Sequence, residues 1–212
     1  HIIDIISLLS ADGASLRLTS GQEYRVTSTP AATSAPQVWL LGSSDYSARL
    51  AARLGLPYVF ANHFGAPGLE RALEHYRSAY ESSEAHPVPV TMLTMNVVVA
   101  ETAEEAQRRA LPQARGFARL RSGRPLLAME TIEAAVAAPD AELDAAAAAV
   151  AAQWIVDAPE AAAARIRTLA TAHGVDEVML SPSAGSYADE PLDASPGREA
   201  TLQLLVEALG TA

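Results

Sequence analysis

The chain has no cysteine and no lysine in 212 residues, few aromatics, and no long apolar run. The missing cysteine excludes disulfides, cysteine nucleophiles, iron-sulfur clusters and thiolate zinc sites, and leaves the redox compartment open. The missing lysine excludes a phosphate-loop lysine, a Schiff base and a lysine general base. All 15 basic residues are arginine against 25 acidic ones, a formal charge of -10. An acidic chain without an arginine cluster repels phosphate backbones, so nucleic-acid binding is not expected. No apolar stretch approaches the ~20 residues of a membrane span, and no basic-then-apolar leader opens the chain. The expectation is a soluble, cytoplasmic protein without a membrane partner. Arginine in place of lysine, with abundant Ala, Gly and Pro, fits the codon usage of a GC-rich bacterial genome.

Half of the residues are hydrophobic by class, which suffices for a core, but 45 of them are alanine, so the large core-filling side chains are fewer than that share suggests. The opening HIIDII reads as a helix already under way, and residue 1 is His, which predicts a chain lacking its N-terminal part. After a helix over Ile2 to Leu9, residues 10–36 read as a polar loop with a short hairpin at Ser15 to Leu18 and Glu23 to Val26. Gln37 to Leu41 reads as a buried strand. A helix over Ser44 to Leu54 follows, stopped by Gly55, and then a strand over Pro57 to Ala61. Together these make one parallel βαβ unit. A second helix is expected over Gly68 to Ser82, and the strongest strand over Val88 to Ala100. Thr102 with Glu105 reads as a capping box opening a helix to Leu120. Residues 121–150 are the least readable, and their alanine run reads as a surface helix. Asp157 and Glu160 suggest another capping box, around Pro159, for a helix to His173 closed by Gly174. A strand over Asp176 to Ser181 and a last helix over Glu199 to Leu209 complete the pattern. The expected organisation is a single partial domain: a lead-in over 1–36, βα units over 37–120, a variable insertion over 121–156, and a closing helix, strand and helix over 157–212.

Strands alternating with helices define an α/β protein with a parallel sheet, and both a doubly wound sheet and part of a barrel fit. A full (β/α)8 barrel takes roughly 250 residues. In either architecture ligands bind at the carboxyl ends of strands. After the first strand come Gly42, Ser43 and Ser44, with Ser47 one turn into the helix. Hydroxyls and free N–H groups at a helix start suit a phosphate, and a plain helix cap fits the same residues. Asp45 would oppose an anion if it pointed inward. After the second strand come Ala61, Asn62 and His63. His63 is the only histidine at a strand's carboxyl end, and both a pocket lining and a general base fit it. No second ligand stands at metal spacing, so no metal is expected. Met92, Thr94 and Asn96 alternate with Leu93, Met95 and Val97 along the third strand. The loop over 181–198 suits either a lid or a disordered connection. G-x-G-x-x-G, G-x-S-x-G and H-E-x-x-H are all absent.

VWLLGSSDYSARLAARLGLPYVFANHF (Val38 to Phe64) resembles the bacterial luciferase-like flavin-dependent monooxygenases. The likeness continues through ALEHYRSAYE, MNVVVAETAEEAQRRA and GVDEVML, over about Val38 to Leu180. The resemblance implies a luciferase-like (β/α) TIM-type barrel, of which only about the last four βα units are present. It implies FMN, reduced and used as a co-substrate, with a deazaflavin in some branches. Gly42, Ser43, Ser44 and Ser47 would then hold the flavin phosphate, and Ala61 and Asn62 would line the ring pocket, with His63 toward the substrate. Residues 121–150 correspond to the family's variable insertion. At Asp157-Ala158-Pro159 only the proline matches the family's usual turn. The family's other barrel strands, with most of its reactive side chains, have no counterpart, so no catalytic residue transfers. The expected function is oxygenation of a small organic substrate with reduced FMN and O2, with a flavin reductase as a partner and a homodimer or heterodimer as the full-length assembly. The chain alone is not expected to turn over. The alternative is a non-catalytic, shortened flavin-binding protein or subunit, and a third reading is an unrelated phosphate-binding half-barrel.

Overall fold

The computed structural model describes residues 2–34, 36–65, 67–175 and 177–210. His1 of the expected opening helix and Asp176 of the expected last strand lie outside the described residues. The chain divides into two compact units, residues 1–40 and 41–212.

The first unit holds helix α1 (Ile2–Leu8) and an antiparallel hairpin of β1 (Ala14–Arg17) and β2 (Glu23–Val26). The hairpin lies within a residue of its expected place. Arg17 and Glu23 face each other where the turn closes it, 2.6 Å apart.

The second unit is a parallel α/β sheet flanked by helices, in the order β3 (Leu40–Gly42), α2 (Asp45–Arg53), β4 (Tyr58–Phe60), α3 (Leu69–Ser78), β5 (Thr91–Val99), α4 (Ala103–Arg121), α5 (Ile132–Ala137), α6 (Ala141–Ala151), β6 (Ile155–Asp157), α7 (Pro159–His173), β7 (Glu177–Pro182) and α8 (Pro196–Leu209). β4, β6 and β7 all pair parallel with β5. Met92 pairs with both Val59 and Glu177, and Val97 with both Ile155 and Pro182. A strand has two edges, so β7 runs along one edge of β5 while β4 and then β6 share the other. β3 continues the sheet beyond β4. The sheet is open among the described residues.

The nine-residue β5 can serve as the hub because its apolar and β-branched side chains suit burial on both faces, and Leu93 through Val99 are all buried. Outside it, α4 presents Ala106, Ala110, Ala114 and Ala118, one turn apart and all buried. Their small side chains let α6 approach through Leu143, Ala147 and Val150, with Trp154 edge-on to Phe117 at 5.5 Å. Many of the alanines are therefore core.

Four expectations are corrected. The expected buried strand at Gln37 to Leu41 is Leu40–Gly42 and half-exposed, because among the described residues it ends the sheet and has β4 as its one strand neighbour. The alanine run is not a plain surface helix, since α6 buries one face. Thr102 caps α4 by accepting from the Glu105 N–H, but the Glu105 carboxylate turns to Arg108, Arg109 and Tyr187 instead of closing a box. Asp157 accepts from the neighbouring Ala158 N–H, and α7 starts on Pro159 without a side-chain cap. The strand β6, just before that proline, was not anticipated. Gly174 ends α7 in the left-handed region (φ 59°), as the sequence pattern predicts.

Candidate functional site

The site is built from two adjacent strand ends. Gly42 closes β3, and a side chain there would overlap Ser47 Oγ, so glycine is what lets the turn fold back against the first turn of α2. The Gly42 carbonyl accepts from the Tyr58 hydroxyl (3.0 Å) and from the Ala61 N–H (3.1 Å). β4 thereby holds the turn from below, and the two groups of residues singled out in the sequence come together.

Ser44 is the N-cap of α2, and its hydroxyl accepts from the Ser47 N–H. Ser47 Oγ donates to the Ser44 carbonyl at 2.8 Å and lies 3.3 Å from the Tyr58 hydroxyl. A hydroxyl has one proton, so those of Ser47 and Tyr58 are already committed. The Ser44 proton has only the 3.3 Å contact with Ser47 Oγ, and among the described residues the exposed Ser43 side chain has no partner. The N–H groups of Asp45 and Tyr46, the first two residues of the helix, have no acceptor within it. The cap reading and the phosphate reading thus hold in the same turn.

Asp45 does not spoil the turn for an anion. Arg71 on α3 lies 3.0 Å from its carboxylate and offsets the charge. Tyr58 is buried, and burial raises its pKa above the ordinary tyrosine range although the contact with Ser47 works the other way. It therefore acts as a neutral donor.

At the end of β4, Ala61 is buried, and its N–H is the group that donates to the Gly42 carbonyl. Asn62 and His63 are half-buried in a short 3-10 turn (Asn62–Phe64). No partner is recorded for the Asn62 side chain among the described residues. His63 is tied to β5 at three points. Its N–H and its Nδ1 both meet Thr94 Oγ1, at 3.1 and 2.7 Å, and its carbonyl accepts from Asn96 Nδ2 at 2.6 Å. Ser183, just past β7, donates to Asn96 Oδ1 at 3.3 Å. Burial lowers the His63 pKa below the ordinary histidine value, so the ring is neutral at pH 7. The sequence pattern placed Thr94 and Asn96 in the strand but not in the site. Two polar residues two apart in an otherwise apolar run were the available signal. Tyr58 carried none.

The loop after β7 is tethered. Tyr187 donates to Glu105, Arg109 bridges Glu105 and Glu190, and the Gly185 N–H donates to the Arg109 carbonyl at 2.7 Å. Among the described residues no group of three or more acidic or histidine side chains is placed to hold a metal, and no helix is long and apolar enough to cross a membrane.

The fold is thus a parallel α/β sheet with a helix-start turn at one strand end and a fixed histidine at the next. The luciferase-like monooxygenase family matches over residues 6–177, and the chain belongs to that family. An 86-residue stretch is 43% identical to a luciferase-like monooxygenase of Escherichia coli K12, covering 41% of this chain and 26% of that protein. YvbT of Bacillus subtilis is 42% identical over 88 residues, 42% of this chain and 26% of its own length. Among solved structures, apo-MsnO8 superposes with a TM-score of 0.69 at 28% identity, over 86% of this chain and 54% of MsnO8. The oxygenating constituent of 3,6-diketocamphane monooxygenase from a Pseudomonas putida plasmid, solved with FMN, superposes at 0.58 and 18% identity over 98% of this chain and 60% of that one, a likeness of fold. The chain thus covers little more than half the length of these solved relatives.

Proposed function

We propose that this chain binds FMN by its phosphate at the turn formed by Gly42, Ser43, Ser44 and Ser47, and that it serves a flavin-dependent monooxygenase of the luciferase-like class acting on a small organic substrate. The observation that carries this reading is the uncommitted donor set at the start of α2. The N–H groups of Asp45 and Tyr46 and the hydroxyls of Ser43 and Ser44 all belong to this helix start, while Arg71 pairs with the Asp45 carboxylate. These residues offer a phosphate neutral hydrogen-bond donors at the positive end of a helix dipole. Ala61 and Asn62 follow on the neighbouring strand end, where a ring attached to that phosphate would lie, and His63 follows them toward the substrate.

When bound, reduced flavin supplies the electrons that activate O2. The part of the chain is to anchor the phosphate, orient what is attached to it, and present His63 with a fixed ring. No residue of the chain is assigned as catalytic. A flavin reductase as the source of reduced FMN, a dimeric full-length protein and a cytoplasmic location belong to the same proposal.

The test is a titration of the protein with FMN and, separately, with riboflavin, followed by flavin fluorescence. Hydrogen bonds to a charged group contribute about 1.5–3 kcal/mol, so riboflavin is expected to bind at least about tenfold more weakly. Ser44→Ala should weaken FMN and leave riboflavin unchanged. Equal affinity for the two flavins, or binding of neither, would overturn the reading. Oxygen uptake with reduced FMN, above the rate of free flavin, separates turnover from binding alone.

A further inference from the structure

The hydrogen positions around His63 follow from the network. The Phe60 carbonyl can only accept, so Thr94 Oγ1, 3.0 Å away, spends its one proton there. The same oxygen then receives the His63 N–H and, 2.7 Å away, His63 Nδ1. With the hydroxyl proton committed, that contact is a hydrogen bond only if Nδ1 carries the hydrogen. In the neutral ring this leaves Nε2 with a bare lone pair. No partner is recorded for Nε2 among the described residues. Phe64 lies against the ring, with centroids 4.1 Å apart, and Asn96 fixes the backbone at the His63 carbonyl. The histidine stands two residues beyond Ala61, whose N–H is bonded to the turn proposed to hold the phosphate.

We propose that Thr94 and Asn96 are positioning residues that hold His63 as its Nδ1–H tautomer, so that Nε2 is a hydrogen-bond acceptor toward the bound ligand and selects ligands that bring it a hydroxyl or an N–H. Such an acceptor rejects a carboxylate or carbonyl at the same place, because two lone pairs would face each other without a proton between them. The donor has two possible sources, the imide N–H of the flavin ring or a hydroxyl of the organic substrate. The ligand half of this proposal rests on the flavin reading above. The tautomer half does not.

The experiment is a two-bond 1H–15N correlation spectrum of the histidine side chains in the 15N-labelled protein, with His63 assigned by its loss in His63→Gln. The expected pattern has a protonated Nδ1 and a pyridine-type Nε2. Thr94→Val should shift His63 toward the Nε2–H tautomer, and Thr94→Ser, which keeps the hydroxyl, should restore the wild-type pattern. A wild-type His63 that is Nε2–H, or a tautomer unchanged in a folded Thr94→Val, would overturn the tautomer half. Oxidised FMN is then added, followed by phenol as a hydroxyl probe and benzoate as its acceptor counterpart. A shift of the Nε2 resonance with FMN alone identifies the flavin N–H as the donor, and a shift only when phenol joins FMN identifies the organic ligand. No shift with either, while fluorescence shows FMN bound, would overturn the acceptor role, as would benzoate acting like phenol. Failure of FMN to bind counts against the flavin reading and removes the ligand half, leaving the tautomer judged on the ligand-free spectrum.

Discussion

The Tyr58 hydroxyl donates to the Gly42 carbonyl across the β3–β4 boundary at 3.0 Å, and it lies 3.3 Å from Ser47 Oγ. One buried phenol therefore touches both ends of the turn proposed to meet the phosphate. Tyr58→Phe keeps the ring against Tyr76, 5.4 Å away between centroids, and removes only this link. The Gly42 carbonyl keeps the Ala61 N–H, so the expected stability loss is about 1 kcal/mol, read from urea unfolding. The FMN titration should weaken several-fold while riboflavin changes less, because the loosened part is the phosphate turn.

Arg115 is 2% exposed, yet it carries a charge that links three segments. It reaches Asp144 on α6 at 2.5 Å, the Ala138 carbonyl after α5 at 3.2 Å, and Glu130 at 3.5 Å. Arg115→Met removes the cation and leaves partly buried carboxylates facing an apolar side chain. The expected cost is about 3 kcal/mol. It should appear in urea unfolding and as faster amide exchange across α5 and α6, while exchange in β4 and β5 follows the global stability. Double substitution with Asp144→Leu should recover part of the loss, since the unpaired acid is the larger penalty.

Tyr187 anchors the loop after β7 by donating to Glu105, whose two oxygens lie 2.8 and 3.0 Å away. Burial pushes the Glu105 pKa up, but the bonds from Tyr187 and Arg108 and the charge of Arg109 outweigh it, so the carboxyl sits below its ordinary range. A depressed carboxyl pKa stabilises the fold above the unfolded value and loses that contribution as pH falls. Tyr187→Phe should therefore cost about 1 kcal/mol at pH 7, with a deficit that narrows as the solution is acidified through the carboxylate range. Urea midpoints at pH 7 and in the acid range check both parts, and amide exchange should quicken around residues 183–190.

Local signals made part of this architecture legible. Pro159 at the start of α7 and Gly174 just past its end set that helix to the residue, and the apolar run of β5 could hardly be anything but a central strand. Gly42 and the serines after it were legible as a turn because an apolar strand, a glycine and a helix start follow one another. The rest depends on partners far away in sequence. Asn96 meets Ser183 across 87 residues, and Tyr187 meets Glu105 across 82. Periodicity cannot report such pairs. β6 escaped because three residues between a helix end and a proline are too few to show alternation, and they become a strand only by pairing with Val97 to Val99. The same long-range contacts turn a loop with disordered composition into a tethered one.

The lowered pKa of His63 makes stability depend on pH in a defined window. Burial disfavours the charged ring in the folded state, whereas the unfolded chain protonates near the ordinary value of 6.5. The neutral ring therefore contributes fully above that value, and the contribution fades as pH falls from there through the lower, folded-state pKa. The Nδ1–H bond to Thr94 does not itself oppose protonation, since a charged imidazole keeps that hydrogen, so the penalty belongs to burial. His63→Gln removes the titration and retains an amide able to meet Thr94. The urea midpoint of the wild type should drop between about pH 7.5 and pH 5.5 by more than that of His63→Gln. Equal drops in the two proteins would show that His63 is solvated in the folded state.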